Sequence, residues 1–128
     1  MRIVVISAQN SLLSGAIVKY LRERGELRPE RVGGEQVREL DKVCLALNAG
    51  VLLMEVTRTP PFDLEGRAAV IRRVRAALPA CRIALLCDET ADPALAAQVA
   101  LARKQGLIDG FFFSSVTGDY LAAALDAL

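Results

Sequence analysis

Five short apolar runs, separated by longer segments of helical period, constrain this chain more than any other feature. They lie at residues 3–6, 31–33 (the weakest), 51–54, 83–87 and 108–113. Runs that are continuously apolar, rather than alternating, belong to strands buried on both faces, the habit of parallel sheets covered by helices. The segments between and after them have room for helices at 11–24, 35–48, 64–78, 93–105 and 118–127. The expected architecture is therefore an α/β domain of five βα units. At 128 residues, with no internal repeat and no linker-like stretch, residues 1–128 are expected to form one domain.

Local chemistry marks several boundaries. Asp92 before Pro93 sets a side-chain acceptor ahead of the residue type that needs no amide partner at the first helical position. Ser11 or Asn10, Asp63 and Thr117 are suited to cap the first, third and fifth helices. Gly25 and Gly106 suit left-handed C-caps, and Pro79 halts the third helix. That helix carries Ile71, Val74 and Leu78 as an inward stripe, leaving Arg72, Arg73 and Arg75 to be read as a solvated basic face. The second strand has Pro29 just before it and Gly33-Gly34 at its end, so a short edge strand is expected there.

Composition removes several classes of function. The 16 Lys and Arg nearly balance 15 Asp and Glu, for a net charge of +1, so there is no bulk attraction to a nucleic-acid backbone or an acidic membrane surface. Residues 83–128 even carry only Arg103 and Lys104 against six acids. The absence of His excludes Ser-His-Asp, Cys-His and His-metal arrangements. Cys44, Cys81 and Cys87 form no C-x-x-C pair and are read as reduced, packed thiols. Without a signal-like leader or a membrane-length apolar run, a cytoplasmic domain is expected. Neither a dinucleotide G-x-G-x-x-G nor a phosphate-binding G-x-x-x-x-G-K-[ST] occurs, and Ser7, Ser11 and Ser14 are too scattered for a flavin-phosphate loop.

Ligands of open parallel sheets bind at the carboxyl ends of the strands, so those ends carry the functional argument. The first run ends in Ser7-Ala8, the third in Glu55, the fourth in Cys87, and the fifth reads Asp109-Gly110-Phe111-Phe112-Phe113-Ser114. Together with the five-unit alternation, these residues resemble the response-regulator receiver domain over essentially the whole chain. The resemblance implies a flavodoxin-like three-layer sandwich with sheet order 2-1-3-4-5.

It also implies a degenerate phosphoacceptor pocket. Ser7 and Ala8 stand where the family holds two metal-binding acids, and Glu55 stands in the phosphoacceptor slot. Cys87 replaces the phosphoryl-binding Ser or Thr, Ser114 replaces the Lys, and Phe111 keeps the aromatic position. Mg²⁺ wants a near-octahedral shell of hard oxygens, and one carboxylate is a poor start. Without metal and lysine, nothing neutralises a transferring phosphoryl group. No catalytic residue, metal or cofactor is expected.

Glu55 has two readings. As a longer acid in the phosphoacceptor slot it mimics the phosphorylated charge; as a partly solvated strand-end acid it does nothing, and the missing lysine favours the second. Cys87 is read as a small buried hydrophobe and Phe111 as a fixed aromatic rather than a switch. The family's output face gives a candidate surface at Leu95, Val99, Ala102, Leu107, Tyr120, Leu121 and Ala124, in helix 4, strand 5 and helix 5. The resemblance implies a homodimer or an effector protein bound there, with no nucleic acid or membrane contact. The function so expected is an atypical, phosphorylation-independent signalling module. Two alternatives stand beside it: a receiver phosphorylated on another carboxylate such as Asp63 or Asp88, and a small-molecule or flavin-binding domain.

Overall fold

The computed structural model describes residues 1–128 and contains a single parallel sheet. Its strands are β1 (Ile3–Ser7), β2 (Arg28–Arg31), β3 (Val51–Glu55), β4 (Arg82–Cys87) and β5 (Gly110–Phe113). Their order is β2-β1-β3-β4-β5, the flavodoxin-like arrangement. The helices are α1 (Ser11–Arg24), α2 (Leu40–Leu47), α3 (Leu64–Ala77), α4 (Pro93–Lys104) and α5 (Gly118–Ala127). No helix is long and apolar enough to cross a membrane.

Strand periodicity divides the apolar residues between two cores. Val5, Leu52, Met54, Ile83, Leu85 and Cys87 face α2, α3 and α4, where Cys44, Ile71, Val74 and Val99 meet them. Val4, Ile6, Val51, Leu53, Ala84 and Leu86 face α1 and α5, against Ile17, Leu21, Leu121 and Leu125. Adjacent strands run in matched register, Val5 beside Leu52 and Leu52 beside Ile83, so each layer is continuous across the sheet. This two-sided burial is why the sequence runs are unbroken.

The caps follow side-chain chemistry. Asn10, rather than Ser11, opens α1, its Oδ1 accepting from the amides of Leu12 and Leu13. Asp63 accepts from Gly66 N–H, Asp92 from Leu95 N–H and Thr117 from Tyr120 N–H. Gly25 and Gly106 hold positive φ of 73° and 81° at the ends of α1 and α4.

Three sequence expectations are corrected. The second strand lies at Arg28–Arg31, earlier than 31–33. The amide of Arg28 donates to Arg2 O, just before β1, and that of Val32 to Ile6 O, so the intervening Pro29, which has no N–H, falls where the edge strand needs none. The second helix is split: a 3-10 turn at Gly34–Gln36 precedes α2, because the chain folds Val37 into the core before Leu40 and Cys44 continue the buried face. The fifth strand starts at Gly110, with Asp109 occupied in capping the sheet. Its carboxylate accepts from Ile83 N–H and pairs with Arg75 at 3.0 Å and Arg82 at 3.6 Å.

The arginines of α3 are likewise not a free basic face. Arg73 bridges to Asp41 of α2 at 3.3 Å and donates to Arg38 O, while Arg75 joins α3 to Asp109 and Leu107 O. Of the three, Arg72 is exposed without a pairing.

Candidate functional site at the carboxyl end of the sheet

The expected pocket residues come from the ends of β1, β3, β4 and β5, and the parallel sheet collects them at one edge. Ser7 is buried and Ala8 half-buried. The Glu55 carboxylate turns towards α1 and accepts from Asn10 N–H at 3.0 Å, so its charge sits at the positive end of that helix.

Between β1 and β3 lies a side chain that the strand-end motifs do not announce. Arg67, from the second turn of α3, is wholly buried, and its guanidinium is held at three points. Nε donates to Glu55 O at 2.9 Å, Nη1 to Ser7 Oγ at 3.0 Å and Nη2 to Ser7 O at 3.1 Å. The Phe62 ring lies 5.0 Å from the guanidinium carbon, a cation–π contact. Burial pushes the group down to about 10, and the Glu55 charge pulls the other way. It therefore stays protonated at neutral pH. A signal for it exists in the sequence: Arg67 falls in step with Val70, Ile71 and Val74, the buried face of α3.

Local structure aims this arginine. Asp63 caps α3, and the Pro60–Pro61 segment, with its cis peptide bond, crosses the first turn of the helix so closely that a Cβ on Gly66 would lie 2.4 Å from Pro61 O. Glycine at 66 is what permits this crossing.

The loops around the mouth are bridged in pairs. Thr57 donates its hydroxyl to Gln9 Oε1 at 2.8 Å; Arg58 pairs with Asp92; Ser114 N–H donates to Glu89 Oε2 at 3.1 Å. Cys87 is buried, and desolvation, then Glu89, Asp88 and Asp92, push its thiol up to about 11. Ser114 is exposed, and Phe111 is half-buried with its ring 5.5 Å from that of Phe113. The alternative acceptors are also engaged: Asp63 by Gly66 N–H, and Asp88 by the amides of Thr90 and Ala91.

A divalent cation does not fit these residues. The mouth brings one carboxylate to the β1 and β3 ends, one of its oxygens already accepting a hydrogen bond, and a buried guanidinium lies beside it. No three His, Cys, Asp or Glu side chains gather into a metal-binding group. A groove of about 810 Å³ lies off the mouth between α2 and α3, and charged side chains such as Arg38, Asp41, Glu65 and Arg73 dominate it.

The candidate output face is smaller than expected. Leu95, Val99, Ala102 and Leu121 pack inward at 6%, 0%, 4% and 6% exposure, so they cannot line a surface. The spacing of Leu95, Val99 and Ala102 along α4 is that of a core stripe. Tyr120 and Leu101 are exposed, and Leu107 and Ala124 are half-buried. A shallow groove of about 480 Å³ runs beside β5, lined in part by Arg103, Phe111, Phe113 and Tyr120.

The fold defined by this sheet and helix arrangement is that of receiver domains. No protein-family model matches the chain, and no curated protein matches it. Solved structures do. A response regulator receiver domain protein from Clostridium thermocellum has TM-score 0.76 and 15% identity over 99% of this chain and 93% of that one. A DNA-binding response regulator of the LuxR family from Staphylococcus aureus has TM-score 0.75 and 12% identity over 99% and 98%. A CheY-like protein, TadZ, from Pseudomonas aeruginosa PAO1 has TM-score 0.74 and 18% identity over 99% and 98%. Identities this low establish a shared fold.

Proposed function

We propose that this chain is a receiver-like signalling module that works without phosphorylation and communicates by protein–protein contact. One observation carries the reading: the mouth of a receiver fold has exchanged its acids, hydroxyl and lysine for Ser7, Ala8, Cys87 and Ser114. Its remaining strand-end carboxylate, Glu55, is spent on the α1 amide end. Phosphoryl transfer is almost entirely electrostatic stabilisation by metal and cationic groups; the Arg67 guanidinium beside Glu55 is buried, and the exposed one at the mouth, Arg58, is already paired with Asp92. We assign the module no catalytic residue.

Contact is proposed through what remains open on α4, β5 and α5, centred on Leu101 and Tyr120 with half-buried Leu107 and Ala124. The occupant is a second copy or an effector. Regulators of this fold include a DNA-binding protein, which supports an effector coupled to transcription. Glu55 is read as a structural acid rather than a phosphate mimic, because its bonded partner is a backbone amide within the domain.

Incubation with acetyl phosphate and Mg²⁺, followed by intact mass, tests the proposal. The expected result is an unchanged mass; a phosphoryl adduct, mapped to Glu55, Asp63 or Asp88, overturns it. Absorbance of the purified protein at flavin wavelengths would favour a ligand-binding domain instead.

A further inference from the structure

We propose that Arg67 is the resident cation of this domain, a tethered guanidinium that stands in for the divalent ion at the junction of β1 and β3. The proposal rests on the phosphorylation-independent reading and deepens it, from a pocket that lost its metal to one in which another positive charge took the position.

Four observations converge. The guanidinium lies at the ends of adjacent strands, where Ser7 pairs in register with Met54, the residue before Glu55. Its three bonds end on oxygens, Ser7 Oγ, Ser7 O and Glu55 O, the donor type a hard cation would use. Ser7 itself matches a family carboxylate position: a hydroxyl there can accept from a guanidinium without adding a second charge. Finally, the Phe62 ring lies against the guanidinium and Arg67 is fully buried, so the cation is shielded from solvent.

A guanidinium also differs from an ion in ways that matter. It has planar, directional donors and cannot dissociate, so the ends of β1 and β3 stay joined whatever the concentration of metal or phosphate. Arg67 is thus a positioning residue. It holds the end of β3 by the Glu55 carbonyl while the Glu55 carboxylate accepts from Asn10 N–H. A mouth built in this way has no empty state for a phosphoryl donor to fill, and its signal must come from elsewhere on the surface.

The test is a competition. Ser7→Asp with Ala8→Asp rebuilds two acids, once with Arg67 retained and once with Arg67→Leu, and thermal unfolding is followed against Mg²⁺ alone. A ligand that binds only the folded state raises the melting temperature with concentration. The expected result is a Mg²⁺-dependent rise with Arg67→Leu and none with Arg67 retained, because the new carboxylates pair with the guanidinium. An equal response in both backgrounds, or none in either, overturns the proposal.

If the Arg67→Leu chain does not fold, the unsubstituted protein decides. Its Arg67 Nε–H resonance should be protected from exchange and unmoved by Mg²⁺, and a Mg²⁺-induced shift there overturns the assignment. These measurements use no phosphate donor, so a failure here is distinct from a phosphoryl adduct in the mass experiment.

Discussion

Arg67 and Ser7, separated by 60 positions in sequence, meet through two hydrogen bonds inside the protein, one to the serine hydroxyl and one to its carbonyl. With the third bond to Glu55 O, this contact fixes α3 to the centre of the sheet. A charge wholly out of water is stable only where its donors are met, and no buried side-chain nitrogen or oxygen here lacks a partner.

Arg67→Met should destabilise the domain by about 2–4 kcal/mol, since buried acceptors left without a donor cost ~1–3 kcal/mol each and the returned desolvation energy offsets part of the sum. Urea unfolding followed by circular dichroism reads this. Arg67→Lys, which keeps the charge but not the fork, should fall between the two.

Gly66→Ala should destabilise, against the ordinary trend in which alanine improves a helix by about 1 kcal/mol. Its Cβ would lie 2.4 Å from Pro61 O, which is backbone and cannot swing away. A cost of roughly 1–3 kcal/mol is expected from such overpacking, with chemical-shift changes reaching Arg67.

Asp109 links the start of β5 to β4 and to α3. Burial works against its charge, but the Ile83 amide and the Arg75 and Arg82 guanidiniums outweigh it and hold the carboxyl below the usual range. A group lowered in the folded state adds stability that is fully present above its unfolded value of about 3.9 and is lost as pH falls through the folded one. Acid unfolding of Asp109→Asn should therefore be flatter below about pH 4 than that of the parent chain.

Cys87 should resist iodoacetamide at neutral pH. Its thiol is buried and, pushed up to about 11, stays protonated far above neutrality. Cys44 and Cys81 are buried as well. Intact mass should show no alkylation of the folded protein and three additions in denaturant.

Leu101→Glu combined with Tyr120→Glu places two charges on the exposed part of the α4–β5–α5 face. Light scattering across a concentration series should show the unsubstituted chain associating and the variant monomeric. Two monomeric samples would refute self-association through this face.

Much of the fold was legible in the residues because its causes are local. Asp92-Pro93, Thr117 and Asp63 announce helix starts by chemistry that acts within one turn, and unbroken apolar runs announce strands with two covered faces. The second βα unit was harder to read. Its strand, Arg-Pro-Glu-Arg, has little hydrophobic signal and is defined by the partner it pairs with. The candidate site was half legible: the strand ends bring Ser7, Glu55 and Cys87 to one edge, but the buried arginine that joins β1 to β3 comes from a helix distant in sequence. A lone arginine in a basic helix reads as solvated until its phase is compared with Val70, Ile71 and Val74. The apolar character of α4 and α5 misled in the opposite direction, since Val99 and Leu121 were needed inside.

Pro29 makes the sheet one-sided. At the β2 margin Pro29 has no amide to offer a further strand, and the flanking charged residues discourage approach. The opposite margin, β5, bonds only to β4 and leaves its outer backbone groups open. The two margins of the sheet thus differ in what they offer an extended segment, and the β5 margin adjoins the same surface as Tyr120, so a strand added there and a protein gripping the neighbouring helices would compete for one face.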